Sequence, residues 1–188
     1  GSMSRAWPPV TGGERRGEYM IEQLSMFRPT RSGATLSPCC RYRYDLWRSF
    51  DGSGEPTRYV NFVMLNPSTA DATENDPTIT RCLGFARSWG LDGLVVTNCY
   101  AWRSTDPRGL KATADPVGPS NDDWIVKRAA GAEIVVCAWG AKAGNRANVV
   151  ASLIRYSGKI PHCLRLTKDG HPSHPLYLPS SLTPQPWD

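Results

Sequence analysis

The sequence lacks the short motifs by which the common cofactor-dependent and hydrolytic enzymes are identified. It has no G-x-x-x-x-G-K-[ST] loop, no G-x-G-x-x-G after a predicted strand, no H-E-x-x-H helix and no G-x-S-x-G elbow. The sequence therefore contains none of these motifs through which an enzyme would bind a cofactor. We expect a site of amides, hydroxyls, histidine and carboxylates, with no cofactor.

Long apolar runs are also missing. No segment approaches the ~18 apolar residues that a helix needs to span a bilayer. The residues from Met3 to Gly17 are rich in Pro, Gly and Arg and do not resemble a signal peptide, while Gly1 and Ser2 are typical of a tag remnant. We expect a cytoplasmic protein with no membrane partner.

The cysteines do not form a metal-binding pattern. The sequence has six, with no C-x-x-C pair, and Cys39 and Cys40 are adjacent, which is a poor geometry for binding one zinc ion. The other four lie in apolar contexts at irregular spacings, and we expect reduced, packed thiols and no metal. These are Cys82, Cys99, Cys137 and Cys163.

The charge is modestly basic and unevenly distributed. The net charge is +5, and from residue 142 onward six Lys or Arg face only two acidic residues. Such a basic region favours contact with phosphates, although ordinary solvated surface charge explains it equally well.

The pattern of apolar segments predicts an α/β fold. Strands are expected at 58–65, 94–97, 133–139 and 162–166, and they alternate with helices at 76–89, 120–130 and 142–156. Alternation of this kind predicts a parallel sheet with helices on both faces. The period-two pattern of 41–50 predicts a half-buried edge strand, joined to the next strand by a hairpin turn at 51–54.

The domain organisation follows from the same pattern. Residues 1–36 are expected to be a tag remnant and a flexible arm with a short amphipathic segment at 17–27. Residues 37–188 are long enough for one domain with its own core.

Each predicted parallel strand ends in a polar or glycine-containing turn. Because the carboxyl ends of parallel strands meet at one edge of the sheet, these turns are expected to form one pocket. Each turn also has a purely structural explanation, since Asn66 can cap a turn, Asn98 can bond its own backbone and His171 can be a satisfied loop histidine. The turns are Asn66-Pro67-Ser68-Thr69, Asn98, Trp139-Gly140-Ala141 and His171-Pro172-Ser173.

In sequence order, NPS, VVTNCYAWRSTDP, IVVCAWGAKA and HPSHPLYLP resemble the motif series of the uracil-DNA glycosylase superfamily. More closely, RYRYDLW, MLNPSTAD, NDPTITRC, AWG and HPSHPLYLP resemble a bacterial and phage family long labelled a domain of unknown function, over about 37–179. The resemblance implies a three-layer α/β/α domain with a central four-stranded, mainly parallel sheet, an N-terminal arm and an edge hairpin.

The resemblance also implies roles for individual residues. Asn66 would position the attacking water and Asn98 would read a flipped pyrimidine. His171 would stabilise charge on the departing base or contact the phosphate beside it. Asp71 is a candidate general base if its pKa is raised, and a turn residue otherwise. Further base contacts are expected from Ser68, Thr69, Tyr100 and Phe85, and DNA contacts from Ser173, His174, Arg103, Lys142, Arg146 and Lys168.

Two differences from the motifs of the superfamily narrow the cofactor and the substrate that we expect. The cysteines that hold an iron–sulfur cluster in some branches are absent. Small residues, Ser68-Thr69-Ala70, stand where uracil-specific enzymes place an aromatic wall against the pyrimidine C5 position, although Phe85, Tyr100 or Trp102 could supply that wall from elsewhere. We therefore expect a monofunctional DNA glycosylase that acts on a pyrimidine with a bulky C5 group, such as glucosylated hydroxymethylcytosine of phage DNA, in phage defence or repair.

Two other functions fit the same residues. One is a transferase that elaborates a pyrimidine of phage DNA at C5 without breaking the glycosidic bond. The other is a module that binds modified DNA without chemistry. An Arg103–Asp106 ion pair that locks its loop is an alternative to a DNA-contacting Arg103.

Overall fold

The computed structural model describes Pro29, residues 31–68 and residues 70–188. The predicted segment 17–27 and Thr69 lie outside the described residues. The β-strands in chain order are β1 Arg31–Leu36, β2 Arg43–Ser49, β3 Tyr59–Met64, β4 Gly93–Asn98, β5 Ile134–Cys137, β6 Pro161–Cys163 and β7 Gln185–Pro186. The helices are α1 Pro77–Ser88, α2 Asn121–Gly131 and α3 Arg146–Tyr156, with 3-10 helices at Pro107–Ala112 and Gly140–Ala143.

The strands form one mixed sheet in the order β1-β2-β4-β3-β5-β6-β7. The four inner strands β4, β3, β5 and β6 run parallel, and both edges are completed by antiparallel pairs. The α/β class is confirmed, but the sheet contains seven strands rather than four. Among the described residues, no helix is long and apolar enough to cross a membrane.

Helices cover both faces of the sheet. Alternate residues of β3, such as Val60 and Phe62, pack with α1 residues such as Leu83 on one face. Tyr59 and Val63 face the other side, where α2 and α3 supply Ile125, Ala129, Val150 and Ile154. The prediction of packed, reduced thiols is confirmed for Cys82, Cys99, Cys137 and Cys163.

Helix α1 begins where its capping residues predict. Pro77 is the first helical residue, and Asp76 accepts the backbone N–H of Ile79 at 2.8 Å. A side-chain acceptor at this position satisfies one of the free N–H groups of the first turn. The same carboxylate stands at the edge of the sheet where the parallel strands end.

The N-terminal edge of the sheet differs from the prediction. Residues 31–36 are not part of a flexible arm but form β1, which pairs antiparallel with β2. Strand β2 is therefore internal, and the predicted hairpin to β3 does not form because β4 lies between the two strands. Two other elements are shorter than predicted, since α3 starts at Arg146 after a 3-10 turn and β6 ends at Cys163.

Candidate active site

A cavity of about 210 Å³ lies at the carboxyl ends of β3 and β4 and beside the residues that follow β5. This is the edge at which open α/β sheets bind ligands. Its polar lining comes from seven separate parts of the chain. The lining residues include Arg43, Asn66, Ser68, Asp76, Asn98, Ser104, Trp139 and His174.

Asn66 is held in one orientation by its own amide. Its Nδ2 donates hydrogen bonds to the carbonyls of Pro67 at 3.0 Å and Ser104 at 2.8 Å. Pro67 has no N–H and ends the strand ladder there, so the chain turns out of the sheet at this residue. With both amide hydrogens engaged, the side-chain oxygen Oδ1 is the polar atom that Asn66 has left for the cavity.

Three buried donors belong to side chains that line the cavity. Arg43 Nε, Asn98 Nδ2 and Trp139 Nε1 are N–H groups without a hydrogen-bond partner among the described residues. A buried donor left unpaired costs about 1–3 kcal/mol. The lining therefore favours a ligand that supplies hydrogen-bond acceptors.

Arg43 is the lining residue that sequence analysis did not predict. It is only 3% exposed, donates to the Ala70 carbonyl, and burial lowers its pKa to about 10 while the Asp76 carboxylate opposes that shift. The sequence pattern predicts a half-exposed strand here, whereas β2 lies inside the sheet and is buried along both faces. The available signal was an arginine two positions from an aspartate in a strand that also contains Tyr44, Leu46 and Trp47.

Arg48 on the same strand organises the loop 71–75 beside the cavity. Its guanidinium donates to the carbonyls of Asp71 at 2.7 Å, Ala72 at 3.2 Å and Glu74 at 3.1 Å, and to Asn75 Oδ1 at 2.7 Å. Burial lowers the pKa of Arg48, and nearby carboxylates oppose the shift. Loop 71–75 is thus attached to the sheet through one buried side chain.

The structure places His174, and not His171, against the cavity. His174 is an exposed residue, yet partial burial of its ring lowers its pKa while Asp76 opposes the shift. Its Nδ1 accepts the Leu176 N–H at 3.3 Å, so the neutral ring carries its proton on Nε2. His171 is bonded through its backbone to Thr167, and only the neighbouring Pro172 carbonyl reaches towards the site, where it accepts the Gly140 N–H at 2.8 Å.

Three other predicted residues do not line the cavity. Asp71 accepts the N–H groups of Thr73 and Glu74, both at 2.8 Å, and these bonds lower its pKa, so it is a turn residue rather than a base with a raised pKa. Phe85 is 2% exposed in the core on the inner face of α1. Tyr100 faces a neighbouring groove and donates its hydroxyl to the Ala143 carbonyl at 2.9 Å.

Some of the predicted DNA-contacting residues are bonded to other protein groups, and the others are exposed to solvent. Arg146 donates to the Cys99 carbonyl at 2.9 Å and pairs with Asp122, so its guanidinium is engaged within the protein. Arg103 donates to the Cys40 carbonyl at 3.1 Å, and Asp106 pairs with Arg108 instead of Arg103. Lys142 and Lys168 are exposed and Ser173 is partly exposed beside His174.

Of the candidate site residues, Asn66, Ser68, Asn98 and His174 come together in the cavity, where Arg43, Asp76 and Trp139 join them. Among the described residues, no three His, Cys, Asp or Glu side chains are grouped as metal ligands. The arrangement presents one oriented amide oxygen, several N–H donors and a histidine with a lowered pKa. It can orient a water molecule and bind an electron-rich ring.

Comparison with known proteins gives one family. The model of a family described as "Protein of unknown function (DUF1643)" matches residues 43–176, which include every part of the cavity. No curated protein and no solved structure matches the chain.

Proposed function

We propose that this chain, which belongs to the DUF1643 family of proteins of unknown function, is a monofunctional DNA glycosylase that hydrolyses the N-glycosidic bond of a flipped, modified pyrimidine. The observation that carries the proposal is the fixed Asn66 amide facing the same cavity as Asn98 and His174. A uracil-DNA-glycosylase-like arrangement of the parallel strands is part of the proposal.

The reaction needs a water molecule on one side of the sugar and a stabilised leaving group on the other. Asn66 Oδ1 accepts a hydrogen bond from the water and directs its oxygen at C1′ of the sugar. The new C1′–O bond replaces the C1′–N1 bond, whose electron pair leaves with the base. The base anion takes up the proton that water releases, which gives free base and an abasic site.

The leaving base is stabilised by donors rather than by a metal. Burial lowers the pKa of His174, which favours the neutral ring, and its Nε2–H can donate to the base oxygen on which charge develops. The buried Arg43 guanidinium contributes positive potential to the same cavity. Asn98 is fixed by its backbone, whose carbonyl accepts Asn121 Nδ2 at 2.9 Å, and its side-chain amide reads the edge of the base.

The size and lining of the cavity bear on the substrate. A volume of about 210 Å³ is below the ~300–1,000 Å³ of sites for drug-sized ligands, which fits a single base extracted from the stack. Ser68 and Asp76 give the cavity a small, polar wall in place of an aromatic one. We propose a pyrimidine with a hydroxylated C5 group, and a sugar attached to that group would extend through the mouth.

Mass spectrometry of DNA treated with the purified protein tests this proposal. The substrates are phage genomes with hydroxymethylated or glucosylated cytosine, uracil-containing DNA and mismatched duplexes. Release of free base with matching alkali-labile abasic sites is the expected result. A base that stays attached with a changed mass would instead identify a transferase, and binding without either product would identify a reader of modified DNA.

A further inference from the structure

A second concavity opens beside the cavity and is not occupied by the proposed reaction. It has a volume of about 520 Å³ and we call it the basic groove. Its lining includes Tyr100, Pro107, Arg108, Lys111, Pro116 and Lys142.

The basic groove adjoins the candidate active site. Pro107 lines both concavities. Tyr100 lies two residues after Asn98, and Lys142 lies three residues after Trp139, so the groove is built from the segments that follow β4 and β5. A polymer whose base occupies the cavity would have its adjoining units at this groove.

The groove carries positive charge that the protein does not neutralise. Arg108 is paired with Asp106 at 2.7 Å, but among the described residues neither Lys111 nor Lys142 forms an ion pair. Both lysines are exposed, and Lys142 is close enough to Asp106 to help lower the pKa of that carboxylate. Two unpaired cations at one groove match the phosphates of a nucleic-acid strand.

An aromatic ring lines the same groove as the two lysines. The hydroxyl of Tyr100 is bonded to the Ala143 carbonyl at 2.9 Å, which fixes the ring, and the ring lines the groove. A cationic groove with a fixed aromatic surface is the usual design for binding single strands, because every base has a face that can stack.

We propose that the basic groove binds single-stranded DNA next to the target nucleotide, with phosphates at Lys111 and Lys142 and a neighbouring base against Tyr100. This inference rests on the proposed function for its choice of polymer. It adds a strand preference and a binding site outside the cavity.

Fluorescence anisotropy with a labelled oligothymidylate of about 12 nucleotides tests the groove without any target base. At low salt, Lys111→Gln and Lys142→Gln should each weaken binding about 3-fold, and each should reduce the slope of log affinity against log salt by about 0.7. Tyr100→Leu should weaken binding by about 5-fold or more, while Tyr100→Phe, which keeps the ring and loses only the bond to the Ala143 carbonyl, should weaken binding less than Tyr100→Leu does.

Lys159→Gln is the matched control. Lys159 precedes β6 and so lies at the amino ends of the parallel strands, whereas the groove follows their carboxyl ends. This substitution should leave the affinity for the oligonucleotide unchanged. Thermal unfolding of each variant shows that the fold is retained. The inference is overturned if the groove variants bind like wild type, or if a duplex of equal length binds as tightly with the same dependence on the lysines. If the groove binds the strand but no DNA loses a base, the inference stands and the glycosylase proposal fails.

Discussion

Removal of the Arg48 guanidinium should release loop 71–75 from the sheet. Arg48→Met keeps an apolar stem of similar length and deletes four hydrogen bonds to this loop. At ~1.5–3 kcal/mol for each bond to a charged group, a simple sum would be about 6–12 kcal/mol. That sum is too large, because the variant also avoids the cost of burying a cation.

Solvent access reduces the effect further. Ala72 and Glu74 are exposed, so water can replace the donor at their carbonyls, whereas Arg48 itself is 0% exposed. We expect a loss of about 3 kcal/mol in the free energy of unfolding, which corresponds to a fall in Tm of roughly 6–12 °C for a domain of this size.

Urea unfolding and hydrogen exchange measure this prediction. Exchange should accelerate at the amides of loop 71–75 more than in β3 or β4. Arg41→Met removes an exposed arginine close to the same strand and should change stability by no more than ~0.5 kcal/mol. A loss below about 1 kcal/mol for Arg48→Met, with unchanged exchange in the loop, would refute the reasoning.

Three further outcomes are expected. Asn121→Ala should lower the free energy of unfolding in urea by about 1–3 kcal/mol. The fully buried Asn121 amide donates to the carbonyls of Asn98 at 2.9 Å and Cys99 at 3.2 Å, and both bonds would be lost. An unchanged free energy of unfolding would contradict this prediction. Asp76→Asn should keep helix α1, since Asn caps as well as Asp, while the pKa of His174 falls further in an NMR titration; a rise would show that Asp76 does not act on the ring. Because the folded pKa of His174 lies below 6.5, stability should fall as the pH drops from about 6.5 through that pKa, and His174→Gln should flatten the curve.

The elements with local signals could be predicted from the sequence. The α1 start follows from Asp76 and Pro77, which act within one turn, and the buried strands β3 and β4 follow from short apolar runs. Strand β1 could not be predicted, because its sequence RSGATL has little apolar pattern and its structure depends on pairing with β2. The buried state of Arg43 and Arg48 involves contacts with the distant segment 70–75, which the local sequence pattern does not show.

Within the site, only the residues at the carboxyl ends of the strands could be predicted from the sequence. Asn66 and Asn98 lie at the ends of adjacent parallel strands, and both line the cavity. The choice between His171 and His174 depends on the path of a proline-rich loop, which is set by contacts such as that between Gly140 and the Pro172 carbonyl. Phe85 lies on the face of α1 that points towards the core, where it packs against Trp89.

The most direct test of the account is single-turnover release of free base from modified phage DNA by wild type and by Asn66→Ala. Wild type should release free base. The variant should bind the DNA normally, but its rate of base release should be lower by about 10²–10⁴-fold, the usual contribution of a group that positions and activates water. Tyr156→Ala, at an exposed site on α3 with 82% exposure, should act as wild type. Equal rates for Asn66→Ala and wild type, or no base release by either, would contradict the account.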